Sequence, residues 1–151
     1  KNTKGQNIRY HFAGSWIDVE SEAEFFELIK EYELEENVIY HGFVSGERKD
    51  SLYRDAHILI YPSKNDAFPL TLLESLSYGV PVVATDEGSI PYMLDEESGI
   101  VLHDVSTLPE VLDQAQAMLI NKKTAMYCRQ RYLENFSLEQ FEDNLVNILN
   151  L

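Results

Sequence analysis

The sequence predicts an α/β domain, a doubly wound parallel sheet with helices on both faces, and three observations point to it. Short, continuously apolar runs alternate with helical patterns along the chain, as expected of strands in a parallel sheet covered on both sides. Helix-opening and helix-closing residues separate those runs. The composition is that of a globular chain, with 44% apolar and 25% charged residues among 151, a length suited to one domain with its own core.

The elements follow in order. Residues 8–13 form a first strand, closed by Gly14. Ser21-Glu22-Ala23-Glu24 has the form of a capping box and opens a helix with Phe25, Phe26, Leu28, Ile29 and Tyr32 on its apolar face. Residues 38–41 are the next strand, ended by Gly42, and Ser45-Gly46 leads into a short helix carrying Leu52, Tyr53 and Ala56. The run at 58–61 stops at Pro62. Residues 70–78 are helical and end at Gly79, a residue suited to the left-handed turn that closes helices. Residues 82–84 and, more weakly, 99–102 are the last strands. Thr107-Leu108-Pro109-Glu110 is a second capping box, ahead of Val111, Leu112, Ala115, Met118 and Leu119 at helical spacing. Ser137-Leu138-Glu139-Gln140 opens a final helix with Leu138, Phe141, Leu145 and Leu149 on one side.

Charge excludes whole classes of partner. Twelve Lys+Arg against 26 Asp+Glu give a net charge of −14, which disfavours nucleic acid, whose affinity comes from neutralised phosphates, and anionic membranes. Much of this acid lies in helix-rich stretches, residues 20–36 and 134–143. The single Cys128 makes neither an intramolecular disulfide nor a structural zinc site, so a reducing compartment is expected. Its surroundings read as a buried, inert thiol. No apolar run approaches membrane-spanning length. The chain begins at Lys1 without Met and is expected to be a piece of a longer protein.

In doubly wound sheets the ligand lies beyond the carboxyl ends of the strands. The loops to inspect are therefore residues 14–16, 42–46, 63–68 and 85–91, each rich in Gly, Pro, Ser or Asp, although such loops are polar in most proteins. The third carries the most chemistry. After a strand ending at Pro62, a polar loop reaches Pro69, placed as a first-turn proline would be. The helix start leaves backbone N–H groups around Phe68 to Thr71, and with the helix dipole these form an anion site without a basic side chain. Glu74 lies roughly 7 to 8 Å along the axis from a start near Pro69, and Asp66 stands just upstream. Two carboxylates flanking an anion site suit paired sugar hydroxyls. The same residues also fit a loop acid near a helix N-terminus and a solvated helix position. Leu70, Leu72, Leu73 and Leu76 are expected in the core.

Asp66-x7-Glu74 lies within Tyr61-Pro62-Ser63…Phe68-Pro69-Leu70…Leu73-Glu74-Ser75-Leu76…Gly79-Val80-Pro81-Val82-Val83-Ala84-Thr85-Asp86…Gly88-Ser89-Ile90-Pro91. This order closely resembles the Rossmann-like C-terminal half of GT-B retaining glycosyltransferases, the group 1 or family 4 type of bacterial polysaccharide synthesis. Upstream, Glu36-Asn37-Val38-Ile39-Tyr40-His41-Gly42-Phe43-Val44 is similar to the family's segment beside the nucleobase. The resemblance covers nearly the whole chain.

The resemblance implies a single nucleotide-sugar-binding domain over 1–151, part of a longer two-domain enzyme. It implies transfer of a sugar, with retention, from a nucleoside diphosphate to a glycan or lipid-linked acceptor. Asp66 would contact the donor sugar and Glu74 the ribose hydroxyls, the pair counted as catalytic. The helix start at Phe68, Pro69, Leu70 and Thr71 would receive the diphosphate, Pro69 having no N–H to give. Backbone at Gly42, Phe43 and Val44, with Gly14 nearby, would hold the base. No metal or other cofactor is implied. The acceptor would be presented by an N-terminal domain of the same chain, through which peripheral membrane association would arise. The location implied is the cytoplasm or the cytoplasmic face of the inner membrane, and this piece alone is expected to be inactive.

Two departures accompany it. The family usually has Glu at the position of Asp66 and Gly at that of Ala67, so the reach to the sugar differs. An Arg and a Lys that neutralise the diphosphate come, in the family, from a segment before the first strand. Lys4-Gly5 lies too close to Ile8 to leave room for the intervening helix, so residues 1–7 read as linker. A decayed, non-catalytic binding or regulatory subunit is the alternative reading, and a GT-B-fold nucleotide-sugar epimerase a further one.

Elsewhere the sequence offers less. His11, His41, His57 and His103 lack paired metal-ligand spacing and read as ordinary half-buried histidines. Ser63 has no nucleophile elbow around it, and neither a Walker sequence nor Gly-x-Gly-x-x-Gly is present. Trp16 fits either a wall of the donor cleft or ordinary packing.

Overall fold

The computed structural model describes residues 8–149, the side chains of 117–119 excepted. The expected linker at 1–7 and the side chains of Met118 and Leu119 lie outside the described residues. The described residues divide between Leu52 and Tyr53 into two compact units, taken in turn below.

In the first unit β1 (Tyr10–Phe12) and β2 (Val38–Tyr40) pair in parallel, with His11 opposite Ile39, and are joined by α1 (Val19–Glu31). The helix starts one turn before the expected capping box. Asp18 is the N-cap, extended at φ −152°, and its carboxylate accepts the Ser21 N–H at 2.7 Å. Ser21 is therefore inside the first turn, where it donates instead of capping. The predicted apolar face is only partly covered, since Phe26, Leu28 and Tyr32 are exposed. Trp16 packs against Phe25 and Tyr40, with ring centroids 4.9 and 5.0 Å apart, so it packs within this unit. After β2 the chain enters α2 (Gly46–Asp55), which runs on into the second unit.

The second unit holds a three-stranded parallel sheet in the order β3-β4-β5, formed by β3 (Leu59–Tyr61), β4 (Val82–Thr85) and β5 (Gly99–Leu102). Its register sets Tyr61 opposite Ala84 and Val83 opposite Ile100. All four residues of the central strand β4 are buried. Val82 and Ala84 belong to one core cluster with Leu72, Leu76, Ile90, Met93 and Cys128, while Val83 joins Leu102 and Ala115 in another. This alternation follows from the two-residue period of a strand and shows a sheet covered on both faces. Among the described residues, five strands thus form two parallel ladders, one in each unit.

α3 (Leu70–Ser77) supplies Leu72 and Leu76 to the core, but Leu70 is 65% exposed, contrary to expectation, because it opens the helix on its outer side. Gly79 closes α3 as expected, at φ +76°, and a Cβ there would come within 2.7 Å of the Ala125 carbonyl oxygen. That contact lets α6 (Lys122–Asn135) approach and bring Cys128 into the core. Burial pushes the Cys128 thiol up to about 12, consistent with an inert residue.

Residues 85–91, expected as loop, begin on the last residue of β4 and run into the one-turn α4 (Ile90–Met93). Thr107 does not cap α5 (Leu108–Leu119). A 3-10 turn over Val105–Thr107 runs directly into the helix, and Asp104 caps that turn by accepting the Ser106 N–H at 2.8 Å. A residue already in helical conformation cannot adopt the extended cap geometry. Ser137, in contrast, accepts the Gln140 N–H at 3.2 Å and opens α7 (Leu138–Leu149) as expected, with Leu138, Phe141, Leu145 and Leu149 exposed. Among the described residues, no helix is long and apolar enough to cross a membrane.

Candidate functional site

β3 delivers the chain to the carboxyl edge of its sheet at Tyr61, and the next eight residues form the loop that leads to α3. Asn65 turns that loop in the left-handed region, φ +66°, which Asn tolerates better than most residues. Three contacts from the end of β4 and the segment after it hold it in place. Thr85 Oγ1 donates to the Ser63 carbonyl at 2.5 Å, and the Ser89 N–H donates to the Ala67 carbonyl at 3.0 Å. Gly88, at φ +51°, lies so close that a Cβ would overlap the Asp66 carbonyl oxygen.

Asp66 and Glu74 are both half-buried, so neither is a freely solvated surface acid. Asp66 Oδ2 accepts the Tyr61 hydroxyl at 2.6 Å, and Oδ1 accepts the Phe68 N–H at 3.2 Å. Glu74 Oε2 accepts the Tyr53 hydroxyl at 3.1 Å, while the Tyr53 ring stacks on Tyr78 with centroids 5.4 Å apart. Burial, followed by the negative charge of Glu74, pushes the Tyr53 phenol well above its ordinary range. Burial, followed by the bond to Asp66, raises that of Tyr61. Both tyrosines therefore stay protonated and donate to their carboxylates.

Pro69 is extended, with ψ 106°, and serves as the N-cap, so the expected first-turn proline lies one position earlier. With the helix starting at Leu70, Glu74 is about 6 Å along the axis. The Phe68 amide, expected to be free, is taken by Asp66. The N–H groups of Leu70 and Thr71 have no acceptor within the helix, and these are the donors left at the α3 start.

Gly14, Gly42, Phe43 and Val44 belong to the first unit, at the carboxyl ends of β1 and β2. The Gly14 N–H donates to the Gly42 carbonyl at 2.9 Å, Tyr40 Oη donates to the Gly14 carbonyl at 2.9 Å, and Phe43 is 75% exposed. Beside them, His11 Nδ1 and His41 Nε2 lie 2.9 Å apart with their rings stacked. The histidines depart from expectation, for His11, His57 and His103 are exposed, and His103 Nδ1 lies 2.8 Å from Asp86 Oδ2. Among the described residues, no group of three or more His, Cys, Asp or Glu side chains is arranged to hold a metal ion.

The sequence reading missed Tyr53 and Tyr61. A tyrosine ending a strand five residues before a loop acid was the available sign for Tyr61. Tyr53 had none, since it reaches Glu74 from another helix.

The family model for glycosyl transferases group 1 matches residues 1–133. The chain belongs to that family. It is 31% identical over 140 residues to alpha-1,3/1,6-mannosyltransferase ALG2 of Dictyostelium discoideum, a match covering 87% of this chain and 32% of that protein. It is 32% identical over 114 residues to the putative colanic acid biosynthesis glycosyl transferase WcaC of Escherichia coli K12, covering 74% and 28%. The chain thus spans about a third of the length of the curated relatives it matches. Among solved structures, Anabaena HepE in complex with UDP-glucose superimposes with a TM-score of 0.80 at 16% identity, over 96% of this chain and 41% of that one. The C-terminal domain of the group 1 protein LpcC from Francisella tularensis superimposes with a TM-score of 0.70 at 17% identity, over 89% and 91%. The group 1 chain accordingly has the Rossmann-like fold of the C-terminal half of a GT-B glycosyltransferase.

Proposed function

We propose that this chain is the donor-binding region of a retaining glycosyltransferase that moves a sugar from a nucleoside diphosphate to a glycan or lipid-linked acceptor, in bacterial polysaccharide or lipopolysaccharide synthesis. The observation that carries this reading is that two half-buried carboxylates, Asp66 in the loop before α3 and Glu74 within α3, each accept a tyrosine hydroxyl, with the Leu70 and Thr71 amides at the helix start between them in sequence. Asp66 accepts from hydroxyls of the donor sugar and Glu74 from those of the ribose. The α3 amides and helix dipole meet the diphosphate, so charge on the departing group is stabilised by donors already in place. For the first unit, the proposed base contact is backbone at Gly42, Phe43 and Val44, with Gly14, and it rests on the family resemblance alone. Relatives support the setting: WcaC is named for colanic acid biosynthesis, another relative for a cps region, and HepE was solved with UDP-glucose. The acceptor is presented by another domain of the longer protein, which works in the cytoplasm or at the cytoplasmic face of the inner membrane.

One observation favours the decayed-subunit alternative, because the Phe68 amide is already occupied by Asp66. Turnover of a panel of nucleotide sugars by the full-length protein separates the two, since a decayed subunit transfers none. For the binding site itself, Glu74→Ala in the full-length protein abolishes nucleotide-sugar binding by calorimetry while the circular dichroism spectrum stays unchanged. Unaltered affinity sinks the ribose assignment.

A further inference from the structure

We propose that Tyr61 is a positioning residue whose hydroxyl sets the Asp66 carboxylate in the orientation that receives the donor sugar, an inference that rests on the donor-site reading above. An Asp carboxylate is placed by two side-chain torsions, and its contacts decide which orientation it holds. Here each oxygen has its own donor. Tyr61 Oη reaches Oδ2 at 2.6 Å, within the short range of charge-assisted O–H···O⁻ bonds. The Phe68 N–H reaches Oδ1 at 3.2 Å. Two donors on two oxygens fix both side-chain torsions, yet a carboxylate has about four lone-pair sites, so each oxygen keeps capacity for a sugar hydroxyl.

The two donors differ in rigidity. Phe68 is part of the same loop as Asp66 and moves with it. Tyr61 ends β3, is paired across the sheet with Ala84, and packs its ring against the main core cluster. Its hydroxyl is therefore a fixed point from which the loop acid is aimed. Held groups of this kind keep a binding constellation in its productive geometry.

The test uses the full-length protein as wild type, Tyr61→Phe, Asp66→Asn and the double variant. Phe keeps the packed ring and removes only the hydroxyl. Calorimetry is run with UDP-glucose, UDP-N-acetylglucosamine and GDP-mannose, and with UDP and GDP lacking the sugar. Tyr61→Phe is expected to weaken the bound nucleotide sugar about tenfold, the scale of one hydrogen bond to a charged group, and to leave the sugarless nucleotide unchanged. In the Asp66→Asn background it adds nothing, because residues acting through one another are not additive. Equal losses for sugared and sugarless nucleotides, full additivity with Asp66→Asn, or wild-type affinity in Tyr61→Phe overturns the proposal and leaves the donor-site reading standing. A wild-type protein that binds none of these nucleotides overturns that reading, and the inference with it.

Discussion

Arg131 Nη1 donates to Asp95 Oδ2 at 2.6 Å, and the same guanidinium reaches the Met93 carbonyl through Nε at 2.9 Å and that of Tyr92 through Nη2 at 3.1 Å. One side chain of α6 thus satisfies carbonyls that the end of α4 leaves without helical donors. Tyr127 Oη adds a bond to Asp95 Oδ2 at 2.7 Å, and Ser98 Oγ one to Oδ1 at 2.7 Å. Burial by itself raises the Asp95 carboxyl, but the bonds from Ser98 and Tyr127 and the Arg131 charge outweigh it and hold the group below its ordinary value. Arg131→Met is expected to lower stability by about 1 kcal/mol, the scale of leaving partly buried acceptors without their donor, as measured by urea denaturation.

The same cluster sets an acid limb. A carboxyl whose folded pKa is depressed adds stability above its unfolded value and loses it as pH falls through the folded one. The Asp95 contribution is therefore complete above its ordinary value of 3.8 and fades below it. Stability measured from pH 6 to 2 should fall less steeply in Asp95→Asn than in the wild-type protein. Parallel curves would refute the assignment.

Gly88→Ala should disturb the candidate site from outside it. Its φ of +51° strains any L side chain, and the new methyl meets the Asp66 and Ala67 carbonyls. A loss of more than about 1 kcal/mol is expected, together with weaker nucleotide-sugar binding in calorimetry. Retained affinity with lowered stability would separate the brace from the site.

His41 is expected to make the first unit sensitive to mild acid. Burial, then the positive charges available to His11 and Arg48, lower its pKa from 6.5. Neutral His41 is favoured in the fold, so its contribution is present above about pH 6.5 and is lost as pH falls through the lower folded value. At so open a site the effect stays below about 1 kcal/mol. Hydrogen exchange of the β1 and β2 amides between pH 7.5 and 5 should show the loss in the wild-type protein and not in His41→Gln.

Two leucines of α3 test the packing. Leu76 is fully buried, and Leu76→Ala should cost about 2 to 5 kcal/mol. Leu70→Ala should change stability by no more than about 0.5 kcal/mol. Both are read from denaturant midpoints, and equal effects would contradict the exposure of Leu70.

Local chemistry explains what was legible. The run Val82-Val83-Ala84 reads as a strand buried on both faces because each face needs its own apolar residue, and Gly79 reads as a stop because a left-handed turn excludes most side chains. Helix starts were harder. Asp18 and Ser21 both suit a cap, and only the backbone path selects Asp18. Thr107 lost its capping role to a 3-10 turn that no sequence period announces.

The sequence alone determined the parallel α/β class, the family resemblance and the acidic pair Asp66 and Glu74, because apolar periodicity, helix punctuation and motif spacing are properties of neighbours along the chain. Tertiary structure alone decided how that pair is held. Tyr53 reaches Glu74 across 21 positions, Thr85 reaches Ser63 across 22, and Gly88 admits the Asp66 carbonyl from a separate loop. Contacts between residues so distant in sequence depend on the packing of whole elements, and a spacing pattern does not record them.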